Sequence, residues 1–373
     1  MIKKIGIVGG GQLGRMLAQA ARKLGFFVTV LDPTKNSPAA QVADKQIQGS
    51  FKDMDKILEL GEVSDVVTFE IESANSEALE RMVTDGKEVY PSPKSLKIIK
   101  DKFGQKAFLE NHDIPVANFA LIENEDDIEK QSQIFGFPFL LKSRFDAYDG
   151  RGNYVVKNKE DISNAVKKLG DVPLYAEKLF PFIKELAVIS VRGKNGEIIT
   201  YPVVETVHKN NICHIVRSPA PVKEEVRQKA KILAEKVLNS LGDVGTYAVE
   251  MFLGENDEIL VNEIAPRVHN SGHHTIEAFS VSQFEAHIRA ITGMPLSEPT
   301  PLANSSVMVN ILGERDGEAL IKGGDTGENG IFTHIYGKMD TRKERKMGHI
   351  TALGDDPEKA EKRAMDLRNN LKI

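Results

Sequence analysis

Tyr247-Ala-Val-Glu-Met-Phe-Leu253, Gly254-Glu-Asn-Asp257 and Glu258-Ile-Leu-Val-Asn-Glu-Ile264 read together as one β-hairpin, two apolar runs around turn-forming residues. With Asn256 and Asp257 as the two turn residues, the register sets Glu250 opposite Glu263 on one face of the sheet. Two like charges so placed are destabilising unless something positive lies between them. A divalent cation removes the conflict, and oxygen-only ligands point to Mg²⁺ beside nucleotide phosphates. Asn262, adjacent to Glu263, adds one more oxygen. The plainer alternative is a solvated pair on an exposed hairpin, and the apolar neighbours Val249, Met251, Val261 and Ile264 argue against full exposure.

Working outward, Lys142 ends the apolar run Phe139-Leu-Leu-Lys142. An ammonium at the end of a buried strand calls for an anion such as a nucleotide phosphate, although a lysine can also snorkel out of a strand end. Asp146-Ala-Tyr-Asp-Gly-Arg-Gly152 is a glycine-punctuated charged loop able to close over phosphates with backbone donors and Arg151, unless it is an ordinary surface turn. Glu177 follows a strand and Glu185 comes eight residues later, so they can serve an adenine amino group and ribose hydroxyls. Either alone is more commonly a surface acid.

Near the amino terminus, Ile5-Gly-Ile-Val8 runs into Gly9-Gly-Gly-Gln-Leu-Gly14. Gly9, Gly11 and Gly14 satisfy G-x-G-x-x-G between a strand and a helix, and Asp32 closes the following strand. This is a case for NAD binding. Glycines are equally required wherever a parallel strand turns tightly into a helix, and the same turn can hold another nucleotide's phosphate on its amides. The phosphate-directed residues downstream weigh against the dinucleotide.

The rest of the chain gives the organisation. Helical spacing from Met16 to Leu24, a strand from Phe27 to Leu31, a helix from Lys52 to Leu60 and a strand from Asp65 to Phe69 indicate a parallel sheet with right-handed crossovers. Tyr90-Pro-Ser-Pro93 reads as a boundary. A helical segment through Lys106 and Phe108, a strand from Phe137 to Leu141, a helix from Ser163 to Leu169 and a strand from Leu174 to Ala176 come next. Leu186–Val191 and Ile198–Val204 form a predicted hairpin, and Val222 to Leu241 a long helix. From Ser306 to Thr351, short strands alternate with glycine-rich turns.

The chain's 373 residues suggest two or three domains, and 41% hydrophobic with 28% charged residues is the balance of a globular protein with a core. A net charge of −5 provides no basic field for nucleic acid. The single cysteine, Cys213, rules out an internal disulfide and fits a reducing compartment. Met1 leads straight into a strand without a signal-peptide pattern, and no apolar run approaches the roughly 18 residues of a membrane span. The expectation is a cytoplasmic protein with no membrane and no nucleic-acid partner.

Taken together these residues resemble the ATP-grasp superfamily, and within it the family of 5-(carboxyamino)imidazole ribonucleotide synthases. The likeness runs from Gly-Gly-Gly-Gln-Leu-Gly-Arg-Met at 9–16 to Lys-Met-Gly-His at 346–349; Tyr148-Asp-Gly-Arg-Gly152 and Asn262-Glu-Ile-Ala-Pro-Arg-Val-His-Asn-Ser-Gly-His273 carry most of it. It implies an α/β fold, α+β in part: a parallel-sheet pre-ATP-grasp domain over 1–100, an ATP-grasp lid over 101–177 and a carboxyl-terminal domain over 178–373. By the same likeness Lys102, Lys142, the loop Asp146, Ala147, Tyr148, Asp149, Gly150, Arg151 and Gly152, then Glu177, Lys178, Leu179, Phe180, Glu185 and His208, contact ATP. Glu250 and Glu263 hold magnesium, beside Asn262. The ribonucleotide is met by Gly11, Gln12, Leu13, Glu72, Tyr148, Asp149, Arg151, Arg267, His269, Asn270 and Ser271. Lys338 and Arg345 bind its 5′-phosphate, which fits the need of a basic cluster for an anion; without the likeness they read as a solvated loop. Two departures stand out. Asp146-Ala147 replaces the glycine pair common in relatives, and His274 stands where some carry an aromatic residue.

The implied chemistry is ATP- and bicarbonate-dependent carboxylation of 5-aminoimidazole ribonucleotide in purine biosynthesis. Carboxyphosphate forms first, and the amine then takes the carboxyl group directly or through CO₂. Such phosphoryl transfer depends on charge neutralisation and positioning, the work of Mg²⁺, Lys142, Arg151 and Arg267, with His269 or Asp149 accepting the amine proton. No biotin-carrier motif is present, and a homodimer is expected from the likeness alone. The rivals are a formate-dependent glycinamide ribonucleotide formylating ligase, an NAD-dependent dehydrogenase and a non-catalytic nucleotide sensor.

Overall fold

The computed structural model describes residues 3–145, 152–323 and 327–373. Its amino-terminal part is a parallel sheet of β1 (Lys4–Val8), β2 (Phe27–Asp32), β3 (Lys45–Gln48), β4 (Val66–Phe69) and β5 (Glu88–Val89), ordered β3-β2-β1-β4-β5. The crossovers include α1 (Gln12–Lys23), α2 (Met54–Glu62) and α3 (Ser76–Thr84). Asp53 and Asn75 start α2 and α3 by accepting from first-turn amides. The strand order reverses between β1 and β4, so the crevice beyond their carboxyl ends is the natural ligand position. The glycine turn and Glu70 both lie there.

Tyr90-Pro-Ser-Pro93 is a helix start rather than a simple break. Ser92 accepts from the Ser95 amide and Pro93 takes the opening position of α4 (Pro93–Lys100), where a missing N–H costs nothing. Asp101 caps α5 (Lys102–Glu110) and also binds Arg144.

A small antiparallel sheet follows from β6 (Phe119–Ile122), β7 (Phe139–Ser143), β8 (Asn153–Val156) and β9 (Leu174–Lys178), ordered β6-β9-β7-β8. Its helices are α6 (Glu125–Phe135) and α7 (Asp161–Leu169). They close over a core that includes Phe139, Leu141, Ile128 and Ala165.

The remainder builds one nine-stranded antiparallel sheet. Along the chain come β10 (Phe182–Arg192), β11 (Ile198–Thr200), β12 (Val204–Lys209), β13 (Ile212–Ser218), α8 (Glu224–Leu241), β14 (Gly245–Gly254) and β15 (Ile259–Ala265). Then come α9 (Thr275–Ala278), α10 (Gln283–Thr292), β16 (Ser305–Leu312), β17 (Gly317–Glu318), β18 (Ile331–Ile335), β19 (Asp340–Thr341), β20 (Lys346–Gly354) and α11 (Pro357–Asn370). β17 and β19 pair separately. α8 buries Val237 and Leu238 against Val188 and Met251. Phe284, Ile288 and Ile291 of α10 share a core with Met16, Leu17 and Val28, so the first and last sheets are joined by apolar packing.

Two sequence expectations change in detail. The strand expected over Ile198–Val204 is split: β11 and β12 both pair with β10, and Tyr201 to Val203 passes between them. The hairpin turn has three residues, not two. Leu253 pairs with Ile259, the Gly254 amide donates to the Glu258 carbonyl, and Asp257 adopts a left-handed φ of 57°. A regular ladder from that turn would place Glu250 opposite Asn262. The register instead shifts between Met251 and Glu250, and Glu250 faces Glu263. The expected pairing is present, produced by a bulge rather than by the turn.

Candidate active site

The bulge sets the chemistry of the cleft. Successive strand residues normally point to opposite faces, but Asn262 and Glu263 both line the same cleft as Glu250. A bulge re-aims a side chain in this way. The cleft encloses about 260 Å³.

Lys102, at the first turn of α5, reaches Glu263 at 2.5 Å. Further along α5, Gln105 takes the place of a neighbouring strand: its Oε1 accepts from the Ile264 amide at 2.9 Å. The opposite wall comes from the small sheet. Lys142 on β7 lies 3.3 Å from Glu177 on β9, and Lys106 of α5 lies 3.0 Å from the other oxygen of the same carboxylate. All three groups are buried. Burial alone would raise the Glu177 pKa, but the two ammonium groups bring it down to about 2. Glu177 is thus held between two lysines and does not line the cleft. Lys178, Leu179 and Phe180 lead from β9 into β10 without lining the cleft.

On the large sheet, Glu185 of β10 pairs with His208 Nδ1 of β12 at 3.1 Å. Burial opposes charge on His208, yet Glu185 and then Glu250 raise its pKa overall. Beyond β15 the chain carries Arg267, paired with Glu72 at 2.9 Å, and His269, whose Nδ1 meets Ser271 Oγ at 2.9 Å. His269 Nε2 stands 3.6 Å from Glu250. Burial first, then the positive charges of Arg267 and Lys346, push the His269 pKa well down. Asn270 exchanges amide hydrogen bonds with Asn310 at 3.0 and 2.7 Å.

Burial and then the charge of Glu263 push Glu250 up to about 7. Glu263 goes the other way: burial would raise it, but Lys102 holds it below its usual value. The two carboxylates and Asn262 present oxygen donors, which fits a hard divalent cation. Among the described residues no group of three or more His, Cys, Asp or Glu is gathered for a metal. A cation held here would complete its shell from phosphate oxygens and water, as Mg²⁺ does with nucleotides.

The glycine turn is differently occupied from a dinucleotide site. The Gly10 amide donates to Asp32 at 2.8 Å, and Asp32 also accepts from the Thr34 amide, so the acid expected to hold a ribose is engaged locally. The Gly11 amide donates to Glu70 at 2.6 Å. A Cβ on Gly11 would stand 2.8 Å from that carboxylate, so a side chain there would displace Glu70. Glu70 was not singled out in the sequence; no local pattern brings the end of β4 to this turn. Burial raises its pKa to about 7 against the pull of Gly11 and Arg267. Gln12 and Leu13 open α1, and the Leu13 side chain belongs to the core.

Lys338 and Arg345 lie outside the cleft lining. Lys338 donates to the Lys346 carbonyl at 2.6 Å, and Arg345 to the Asp340 carbonyl at 2.7 Å. Burial and then Arg345 lower Lys338 to about 7. The cluster is rich in positive charge. Glu70 is among the groups whose charge acts on Lys338, which links it electrically to the glycine turn.

The structure thus brings twelve predicted residues to one cleft: Glu72, Lys102, Lys142, Glu185, His208 and Glu250, with Asn262, Glu263, Arg267, His269, Asn270 and Ser271. Gly11, Gln12, Leu13, Gly152, Lys338 and Arg345 do not line it. Asp146, Ala147, Tyr148, Asp149, Gly150 and Arg151 lie outside the described residues. Asn153, Thr206, Asn211, Cys213 and Lys346 line the cleft without having been expected there. His274 is buried edge-on to Phe279, filling an aromatic position, and burial holds its pKa near about 4.

A parallel pre-domain, a small antiparallel sheet and a large one, with a carboxylate-bearing hairpin between lysines of α5 and β7, define an ATP-grasp protein. The family models agree: a ribonucleotide synthetase preATP-grasp domain matches residues 2–100, an ATP-grasp domain 107–284, and a phosphoribosylaminoimidazole carboxylase C-terminal domain 306–363. The chain is 43% identical to N5-carboxyaminoimidazole ribonucleotide synthetase from Thermotoga maritima, with a TM-score of 0.90 over 100% of this chain and 99% of that one. It is 39% identical to the Aspergillus clavatus enzyme solved with ADP and 5-aminoimidazole ribonucleotide, with a TM-score of 0.89 over 99% of each. Among curated proteins, phosphoribosylaminoimidazole carboxylase of Schizosaccharomyces pombe is 46% identical over 96% of this chain, which spans 66% of that relative's length. The chain belongs to the N5-carboxyaminoimidazole ribonucleotide synthetase family of ATP-grasp ligases.

Proposed function

We propose that this chain is an ADP-forming carbon–nitrogen ligase that carboxylates the exocyclic amine of 5-aminoimidazole ribonucleotide with ATP and bicarbonate. The observation that carries the reading is the bulged hairpin. It turns Glu250, Asn262 and Glu263 together toward Lys102 and Lys142, within reach of the Arg267–Ser271 loop. That is a phosphate site and a second-substrate site sharing one wall.

Glu250 and Glu263 would hold Mg²⁺ with Asn262 beside them, and the ion would supply charge neutralisation at the β- and γ-phosphates. Lys142 and Lys102 face the phosphates, with Glu185 and His208 toward the nucleoside. Arg151 and the rest of the 146–152 loop keep the covering role that the likeness gives them. A bicarbonate oxygen attacks the γ-phosphorus, the bond to the ADP oxygen breaks, and carboxyphosphate and ADP form. The amine nitrogen then bonds to the carboxyl carbon as phosphate leaves, directly or after release of CO₂. His269, whose ring burial and then Arg267 keep in the neutral form, and Asp149 are the two candidates to take the amine proton. Arg267 and Glu72 orient the ribonucleotide, and the charge-rich Lys338–Arg345 loop receives its 5′-phosphate near the amides of Gly11 to Leu13.

The proposed domain limits are 1–100, 101–177 and 178–373, supported by the separate sheets. A homodimer in the cytoplasm acting without biotin completes the reading. No helix among the described residues is long and apolar enough to cross a membrane. The test is ADP release from Mg-ATP and bicarbonate. Strong stimulation by 5-aminoimidazole ribonucleotide supports the reading; stimulation instead by formate with glycinamide ribonucleotide moves the chain to the formylating class.

A further inference from the structure

α10 touches neither substrate in the account above, yet one of its faces reaches three segments of the site. Gln283, fully buried in the first turn, brackets His269: its Oε1 accepts from the His269 amide at 3.0 Å and its Nε2 donates to the His269 carbonyl at 2.7 Å. The same loop is tied a second time. Thr275 Oγ1 donates to the Gly272 carbonyl at 2.6 Å and accepts from the Gln283 amide at 3.0 Å. A Cβ on Gly272 would stand 2.6 Å from the Gln283 amide group, so a side chain there would displace Gln283.

One turn later on the same face is His287. Its Nδ1 accepts from the Thr246 amide at 3.1 Å, and its Nε2 lies 2.8 Å from Thr68 Oγ1. Because a backbone amide can only donate, Nδ1 is unprotonated and Nε2–H points to Thr68. Burial keeps the ring neutral, at about 3, so this arrangement holds at working pH. Thr246 lies on β14, the strand of Glu250, and Thr68 lies on β4, which leads into Glu70 and Glu72.

We propose that the Gln283–His287 face of α10 is the positioning element that holds the Arg267–Ser271 loop and the Glu70–Glu72 segment in place relative to β14, and so aligns the ribonucleotide with the activated carboxyl group. Gln283 acts through the backbone of His269, not on substrate. Small displacements of a positioned group have large kinetic effects. The inference rests on the proposed ligase activity. A parent enzyme whose ADP release ignores the ribonucleotide would defeat that reading before any variant is made.

The experiment compares Gln283→Leu with the parent, measuring the KM for 5-aminoimidazole ribonucleotide and the Kd for ADP by direct titration. Loss of the two hydrogen bonds that bracket His269 predicts a KM raised about tenfold or more, with ADP affinity unchanged within about twofold. Equal loss on both sides, or no change in either, overturns the proposal. If the leucine variant does not fold, Gln283→Glu decides. A protonated carboxyl can both donate to and accept from His269, whereas the carboxylate can only accept. The KM ratio of variant to parent then falls as pH is lowered from about 8 to about 6 if burial raises the new carboxyl's pKa, and a ratio independent of pH overturns the proposal.

Discussion

Glu250 and Glu263 face each other across β14 and β15 because Asn262 is the extra residue of a bulge. A perfect ladder from the three-residue turn would have opposed Glu250 to an amide. Replacing Glu263 by Gln keeps shape but removes a charge that serves both Lys102 and the expected cation. We expect ADP release to fall by about 100-fold or more while circular dichroism stays that of the parent. Turnover within about twofold of the parent would contradict the role assigned to Glu263.

Glu177 is the hinge of a buried charge triad with Lys106 and Lys142. Glu177→Gln strands two ammonium groups, and breaking such a buried pair costs about 3–5 kcal/mol. Pairing it with Lys106→Met should recover a substantial part of that loss. Denaturant unfolding of the two single variants and the double variant checks this, and strictly additive losses would refute it. The sign with pH follows from a depressed carboxyl: the contribution is present above its unfolded value and is lost as pH falls from about 4.5 toward about 2.

Much of this was legible in the chain. The apolar neighbours of Glu250 and Glu263 marked a half-buried hairpin, and Phe139-Leu-Leu-Lys142 marked a lysine at a strand end; both depend on local periodicity. The bulge at Asn262 was not legible, because it arises where α5 takes over the outer edge of β15 through Gln105 and Lys106. Asp32 showed the same limit from the other side. Its spacing fitted a ribose ligand, but the Gly10 and Thr34 amides that claim it become visible only in three dimensions. Glu70 lies 59 residues from Gly11, and Gln283 reaches back 14 residues to His269 with no local periodicity that marks either contact.

Glu70 predicts a pH dependence of stability. It keeps its proton to about pH 7 when folded but only to about 4.5 when unfolded. The folded chain therefore binds more protons in that window, and this group makes stability fall as pH rises through it. Glu70→Gln retains an acceptor for the Gly11 amide and removes the effect. The thermal midpoint of the variant minus that of the parent should grow from about pH 5 to about pH 8. A constant difference would contradict the assignment.

Lys338 predicts a proton taken up on binding. Burial and Arg345 hold it near about 7, so at about pH 8 it is largely neutral until an anion arrives. Calorimetric titration with the ribonucleotide in buffers of different protonation enthalpy should show uptake at about pH 8 that is smaller in Lys338→Met. The same variant should raise the ribonucleotide KM about tenfold while leaving that for ATP unchanged. Equal proton uptake in parent and variant would remove Lys338 from the phosphate site.

The most direct test of the account follows an oxygen atom. Bicarbonate labelled with ¹⁸O is supplied with Mg-ATP and 5-aminoimidazole ribonucleotide, and the phosphate released is analysed by mass. Attack of bicarbonate on the γ-phosphate predicts one labelled oxygen in phosphate for each ADP formed. Ribonucleotide-dependent ADP release with unlabelled phosphate would contradict carboxyphosphate formation, and with it the role assigned to this cleft.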